Sequence, residues 1–200
     1  MICLPVNFRV QGQFIETCSD DLLSLYATPI GKLLLAGNER SLTLLGFPEG
    51  KMARRHNEDW IRDTGPFSRV VEQLDRYFAG ELRVFDLDLT FTGTPFQKAV
   101  WATLIDIPYG ETRSYGEIAQ IIGHPKASRA VGAANGVNPV PIIIPCHRVV
   151  GSNGAMTGFG GGISTKQFLL GIESRVQDLF AEAKTSNKIF FDSAKSSSDL

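Results

Sequence analysis

The sequence predicts an α+β fold, with a sheet-and-helix segment in the first half and a helical segment in the second. Residues Asp21 to Phe47 alternate short apolar runs with turn residues, the pattern of strands joined by hairpins. Three Ser/Thr-x-x-Glu/Gln boxes in the second half, at Thr94, Ser114 and Ser164, each open a stretch of helical apolar spacing. The chain has 200 residues, 43% hydrophobic and 20% charged, enough apolar material for a packed core and far from a disordered composition.

In order along the chain, Leu22-Leu23-Ser24-Leu25-Tyr26, Leu33-Leu34-Leu35-Ala36 and Leu42-Thr43-Leu44-Leu45 read as three antiparallel strands, separated by Pro29-Ile30-Gly31 and Gly37-Asn38. A charged stretch from Lys51 to Asp59 precedes a helix from Pro66 to Phe78, with proline at its start and Gly80 at its end. Val84 to Phe91 alternates apolar and acidic residues, as a strand or an extended linker. Thr94-Pro95-Phe96-Gln97 is a capping box opening a helix to about Ile105. After the turn Pro108-Tyr109-Gly110-Glu111, a second box at Ser114 starts a short helix that stops at Gly123, and a third helix runs from about Lys126 to Asn135. Two short helices across a tight His124-Pro125 turn form a helix-turn-helix pattern, weak evidence for DNA binding when taken alone. The box at Ser164 predicts a last helix carrying Glu173 at its far end. From about Gln177 the chain turns polar and serine-rich, as a mobile tail. No internal repeat is visible.

The net charge of −1 by itself argues against a nucleic-acid partner, but the average hides an asymmetry. Met1 to Gly93 holds 10 basic and 13 acidic residues, whereas Thr94 to Val176 holds 7 basic and 4 acidic, a difference that ordinary scatter could also produce. Cys3, Cys18 and Cys146 are few and unpaired in spacing, which fits a reducing compartment, cytoplasmic or, in a eukaryote, nuclear. Cys3 and Cys18 have no partners at metal-finger spacing, so no metal site is expected. The first residues lack a basic leader pattern, and no apolar run approaches the roughly 18 residues of a membrane span.

Chemistry concentrates at Cys146-His147, reached through the hydrophobic run Val140 to Pro145. A thiol is mostly protonated at neutral pH, so a working cysteine needs a neighbour that favours the thiolate. Consecutive side chains point apart, so His147 would act through a bridging water or a local turn, with Glu173 as the carboxylate that orients the imidazole. Residue by residue the alternatives are plain: a buried structural cysteine, a satisfied histidine, a solvated arginine at 129, a packed tyrosine at 115. The helix Ala127-Ser128-Arg129-Ala130-Val131-Gly132 has small side chains that allow close backbone approach, either to a minor groove or to neighbouring protein. Gly151 to Gly162 contains six glycines in twelve residues without the Lys-Ser/Thr ending of a phosphate loop.

An ordered set of motifs resembles the O6-alkylguanine-DNA alkyltransferase family. These are Thr94-Pro95-Phe96-Gln97, Val100-Trp101, Ile107-Pro108-Tyr109-Gly110-Glu111-Thr112, Ser114-Tyr115-Gly116-Glu117-Ile118-Ala119, Ser128-Arg129-Ala130-Val131-Gly132, Asn138-Pro139-Val140-Pro141 and Pro145-Cys146-His147-Arg148. Thr28-Pro29-Ile30-Gly31-Lys32-Leu33 extends the likeness into the first half, while residues 1 to about 20 and the tail fall outside it.

The resemblance implies a ribonuclease-H-like sheet-and-helix domain over 1–90, a winged helix-turn-helix alkyltransferase domain over 91–177 and a polar tail over 178–200. It implies direct-reversal repair, in which Cys146 takes an alkyl group, mainly methyl, from O6 of guanine. His147 and Glu173 would be linked to Cys146 through water, with Asn138 tying the recognition helix to the active-site strand. Arg129 would enter the duplex where the flipped base has left. Ala127, Ser128, Ala130 and Gly132 would line the DNA face, and Tyr115 would touch phosphate and base and could protonate the leaving guanine. The glycine-rich stretch would form a hairpin and lid, with Phe159 and Pro141 as opposite walls of a base pocket completed by Val149, Met156 and Gly160. Some relatives carry a hydroxyl residue where this chain has Gly160, so only the backbone N–H remains there. The carbonyls of Cys146 and Val149 would read the guanine amino group. The expected partner is double-stranded DNA carrying O6-alkylguanine, bound through the minor groove by a monomer, with no cofactor and no membrane. A lesion-binding module without chemistry would not need Cys146, and a cysteine hydrolase would leave the DNA-binding features unexplained.

Overall fold

The computed structural model describes residues 22–47, 50 and 59–174. The expectations for the tail, Cys3 and Cys18 lie outside these residues. Strands β1 (Leu22–Thr28), β2 (Gly31–Gly37) and β3 (Leu42–Gly46) pair antiparallel, and the two-residue β4 (Ile61–Arg62) joins β1 in parallel, giving the order β3-β2-β1-β4. β2 is a central strand, and its run Leu33-Leu34-Leu35-Ala36 is buried on both faces, which explains its continuous rather than alternating hydrophobicity.

A short 3-10 turn at Gly65–Phe67 places Pro66 where no backbone N–H is needed, and α1 (Ser68–Phe78) follows. It ends in a Schellman-type stop: Gly80 takes φ 76° and Glu81 N–H donates to the Arg76 carbonyl at 2.8 Å. α1 contributes Val70, Leu74 and Tyr77 to a core shared with Leu33, Leu35, Leu45 and Phe47 of the sheet. Residues 84–91 run as an extended connection. Among the described residues its one ladder contact is at Leu42, whose N–H and carbonyl bond Asp88 and Thr90.

In the second half α2 (Pro95–Ile105) and α3 (Tyr115–Ile121) both begin with reciprocal capping boxes, at Thr94 with Gln97 and Ser114 with Glu117. α4 (Ser128–Gly136) starts two residues later than the sequence suggests, because Ala127 N–H is held in a turn by the His124 carbonyl at 2.8 Å. Trp101 of α2 is buried and donates its indole N–H to the Ala134 carbonyl at 3.0 Å, fixing α2 across α4. β5 (Arg113–Ser114) and β6 (Val149–Val150) make a short parallel ladder that brings the entrance of α3 beside the residues after Cys146.

The last helix, α5, spans 163–174. The predicted box at Ser164 is not its start: Lys166 N–H donates to the Gly162 carbonyl, so Gly162 is the N-cap and Ser164 lies inside the first turn. Among the described residues no helix is long and apolar enough to cross a membrane.

Candidate functional site

Asn138 follows α4 at the base of the loop that presents Cys146. Its buried side-chain amide donates to the Ile144 carbonyl at 2.8 Å, and its oxygen accepts from Val140 N–H at 3.1 Å. These bonds staple residues 138–144 into a compact turn in which Ile142 is held at φ 77°, a conformation a β-branched residue adopts only under constraint from its surroundings. The expected active-site strand is therefore a turn. Pro139, Pro141 and Pro145 have no N–H to give a ladder, and Asn138 occupies two of the groups that a strand would have paired. Cys146 opens a 3-10 turn, Cys146–Arg148, whose three residues are all buried.

His147, Arg148 and Glu173 form a buried cluster. Glu173 reaches it from α5, and its Oε1 lies 2.8 Å from His147 Nε2 and 2.9 Å from Arg148 Nη2. Its Oε2 accepts from Arg148 Nε and from the Gly110 backbone N–H, each at 2.9 Å. Arg148 Nη1 donates to the Ile107 carbonyl at 2.6 Å. Tyr77, from α1 in the first half of the chain, donates its hydroxyl to Glu173 Oε1 at 2.9 Å. Burial alone would push Glu173 up, but the His147 hydrogen bond and the Arg148 guanidinium hold it down at about 2, so it is a carboxylate at every physiological pH. Burial lowers His147 below its ordinary value, leaving the imidazole neutral, with Glu173 opposing that effect.

These facts fix the tautomer. An ionised carboxylate only accepts hydrogen bonds, so His147 Nε2 carries the proton and Nδ1 presents a lone pair. Nδ1 is buried and has no hydrogen-bond partner among the described residues. Cys146 is 4% exposed, and burial pushes its thiol up to about 11, opposed by the Asn138 amide and the Lys166 ammonium. Lys166 is itself fully buried. Its Nζ donates to the Val149 carbonyl at 2.5 Å and the Thr157 carbonyl at 3.3 Å.

The other predicted residues divide into three groups. Arg129 and Ala130 are exposed on α4, with Ala127, Ser128 and Gly132 half-buried beside them. Tyr115 is half-buried with its ring close over Gly132, and its hydroxyl donates to the Thr157 carbonyl at 3.4 Å. Pro141 and Val149 are buried, Gly160 is half-buried and Met156 is 41% exposed.

Phe159 packs edge-on against Phe47 of the sheet domain, with ring centroids 5.4 Å apart. The 151–162 loop docks there because Gly161 lies flat on the Phe47 ring, where a Cβ would come within 2.9 Å of three ring carbons. A tight turn closes between Gly151 and Ala155, and the following residues carry no ladder. The carbonyls expected to read guanine each already accept one bond, Val149 from Lys166 and Cys146 from the Val149 N–H, which leaves a second lone pair on each. A cavity of about 240 Å³ is lined by Phe85, Ile107, Tyr109, Pro145 and Arg148 among others, and Cys146 is not part of its lining.

Sequence reasoning missed Arg148, Lys166 and Tyr77. Arg148 was visible in the Pro145-Cys146-His147-Arg148 motif, but nothing in a sequence marks an arginine as buried.

A buried thiol next in sequence to an oriented imidazole, following a helix-turn-helix pair and a sheet, fits a class of protein that does thiol chemistry on DNA. Residues 22–91 match the family described as 6-O-methylguanine DNA methyltransferase, ribonuclease-like domain, and residues 95–175 match its DNA binding domain. The methylated-DNA--protein-cysteine methyltransferase of Methanosarcina acetivorans is 51% identical over 150 residues, 75% of this chain and 96% of that protein. The Mycobacterium tuberculosis protein of the same description is 55% identical over 148 residues, 73% of this chain and 88% of its own length. The crystal structure of Mycobacterium tuberculosis OGT in complex with DNA superposes with a TM-score of 0.73 at 52% identity, covering 78% of this chain and 94% of that one. The chain belongs to the methylated-DNA--protein-cysteine methyltransferase family, whose members repair O6-methylguanine in DNA directly by transferring the methyl group to a cysteine of the protein itself.

Proposed function

We propose that Cys146 is the acceptor and that it takes the alkyl group of O6-alkylguanine in double-stranded DNA once, irreversibly. The observation that carries this reading is the buried His147–Glu173 pair, which leaves Nδ1 of the imidazole next in sequence to Cys146 buried and without a partner among the described residues. A polar buried atom in that position suits a bridging water between imidazole and thiol. The thiol is protonated at rest, so its proton leaves through the water to His147 as the sulfur attacks. The new S–C bond forms while the C–O6 bond breaks, and the departing guanine takes a proton. In this reading Tyr115 gives that proton. Burial raises its pKa, which keeps the hydroxyl protonated but makes it a weaker acid, so the proton passes only as negative charge develops on the base and the tyrosine is reprotonated from water. The product is a thioether, which water does not hydrolyse, so each molecule acts once.

Exposed Arg129 on α4 and the small residues around it support docking of this helix in the minor groove, with Arg129 filling the space of the flipped nucleotide. The same reading takes 1–90 and 91–177 as separate domains, a monomer as the acting species and the cytoplasm as its location, or the nucleus in a eukaryote. The family matches that end at 91 and resume at 95 support the domain division. Mass spectrometry of the protein after incubation with O6-methylguanine duplex tests the acceptor. The Cys146 peptide should gain the mass of one CH2 group stoichiometrically, with Cys3 and Cys18 unchanged. Repeated turnover with unmodified Cys146 would instead favour a hydrolase.

A further inference from the structure

Tyr77 belongs to the sheet domain, yet its hydroxyl ends in the buried cluster of His147, Arg148 and Glu173. It is fully buried, donates to Glu173 Oε1 at 2.9 Å and lies 3.4 Å from His147 Nε2. Its ring is fixed by Phe78, Phe85 and Tyr109, with centroids 5.6, 5.4 and 6.2 Å away. Burial first, and then the Glu173 charge, raise its pKa well above the ordinary value, so the group is always a donor. Oε1 is the oxygen that also accepts the His147 proton, and Arg148 Nη2 shares it.

The geometry points to Tyr77 as a positioning residue for alkyl transfer, through which the first domain sets both the orientation and the basicity of the His147–Glu173 pair. This rests on the relay proposed above. The hydroxyl does two things. It restricts the carboxylate rotation that would let the imidazole swing Nδ1 away from Cys146. By donating to Oε1 it also withdraws electron density from the oxygen that stabilises the imidazolium. Without it, Glu173 would attract the His147 proton more strongly and the imidazole would protonate at higher pH. The first domain is then part of the chemistry and more than a support for the second.

The test is single-turnover methyl transfer at saturating O6-methylguanine duplex as a function of pH, with DNA affinity measured separately. Wild type should lose rate on the acid side as His147 protonates. Tyr77→Phe keeps the ring and should slow transfer several-fold at neutral pH, leave DNA affinity unchanged and move the acid limb to higher pH. Replacement of Tyr77 by 3-fluorotyrosine keeps the hydroxyl and makes it a stronger donor, so the limb should move to lower pH, a result available even if the phenylalanine variant folds poorly. In a Glu173→Gln background the Tyr77→Phe change should add little, because the two act through one oxygen. A merely structural tyrosine would lower thermal stability without shifting the limb. An acid limb that is unmoved in both tyrosine variants overturns this role. An acid limb missing from wild type, or methyl found away from Cys146, overturns the relay beneath it.

Discussion

Replacing Glu173 by glutamine tests how much stability the buried cluster carries. The carboxylate is fully buried and its partner Arg148 nearly so. Loss of one member of a buried, hydrogen-bonded pair strands the other charge, at a cost of about 3–5 kcal/mol. Linkage gives an independent figure. The gap between an ordinary value of 4.5 and the folded value of about 2 corresponds to about 3 kcal/mol of stability at neutral pH. Because the folded value is the lower one, that stabilisation is complete above about pH 4.5 and disappears as pH falls through about 2. His147 adds to the acid sensitivity with the same sign. Its folded pKa lies below 6.5, so the unfolded chain takes up that proton first as pH drops. In the variant, the glutamine amide would still fill the space but would turn one hydrogen-bond donor toward His147 or Arg148. Urea denaturation at pH 7 should therefore place Glu173→Gln about 3 kcal/mol below wild type, a fall in Tm of about 6–12 °C for a chain of this size. The gap between the two proteins should shrink by more than half by about pH 3. A difference under about 1 kcal/mol at pH 7, or one that does not narrow with acid, would refute the assignment of Glu173 as an ionised anchor.

Other outcomes follow from the same geometry. Arg129→Ala should impair repair of O6-methylguanine in duplex DNA more than reaction with the free base, because the side chain is exposed on α4, away from the thiol cluster; equal losses in paired rate assays would remove its proposed place in the stack. Binding of the wild-type protein to duplex DNA should weaken linearly on a log–log plot against salt, through release of counterions, and a flat titration would contradict a phosphate-contacting face. Cys146→Ser should abolish transfer yet retain lesion binding, since a hydroxyl keeps the approximate shape but is far harder to ionise; residual stoichiometric methylation by mass spectrometry would move the acceptor elsewhere.

The helices and the main strands were legible because their signals are local. Thr94 with Gln97 and Ser114 with Glu117 form the predicted reciprocal caps, and β1 to β3 alternate with the expected turns. Ser164 with Gln167 carries the same signature and fails as a helix start. Gly162 at φ 90° supplies an earlier carbonyl, and the docking of Gly161 on Phe47 fixes where the helix can begin. Residues 84–91 had the alternation of a strand but, among the described residues, pair only at Leu42, since a ladder needs a neighbour that no local pattern can report.

The site divides in the same way. Asn138, Cys146 and His147 are close in sequence, and the chemistry proposed for them is readable from residue type and order. Tyr77 lies 70 positions before His147 and 96 before Glu173, at a point on α1 where helical spacing predicts only a core residue. Its function depends on one oxygen that the packing leaves within reach of Glu173. Lys166 is similar: in sequence it is an ordinary cation in a first helical turn, but burial beside Val149 and Thr157 turns it into a fixed charge near the thiol. A charged side chain is costly to bury, so sequence reading assigns it to the surface by default. The default fails where backbone carbonyls already wait for the ammonium, and carbonyls carry no signature in the amino-acid code. Residues that tune a reactive group from a distance are therefore the ones that a sequence hides, even when the reactive group itself is plain.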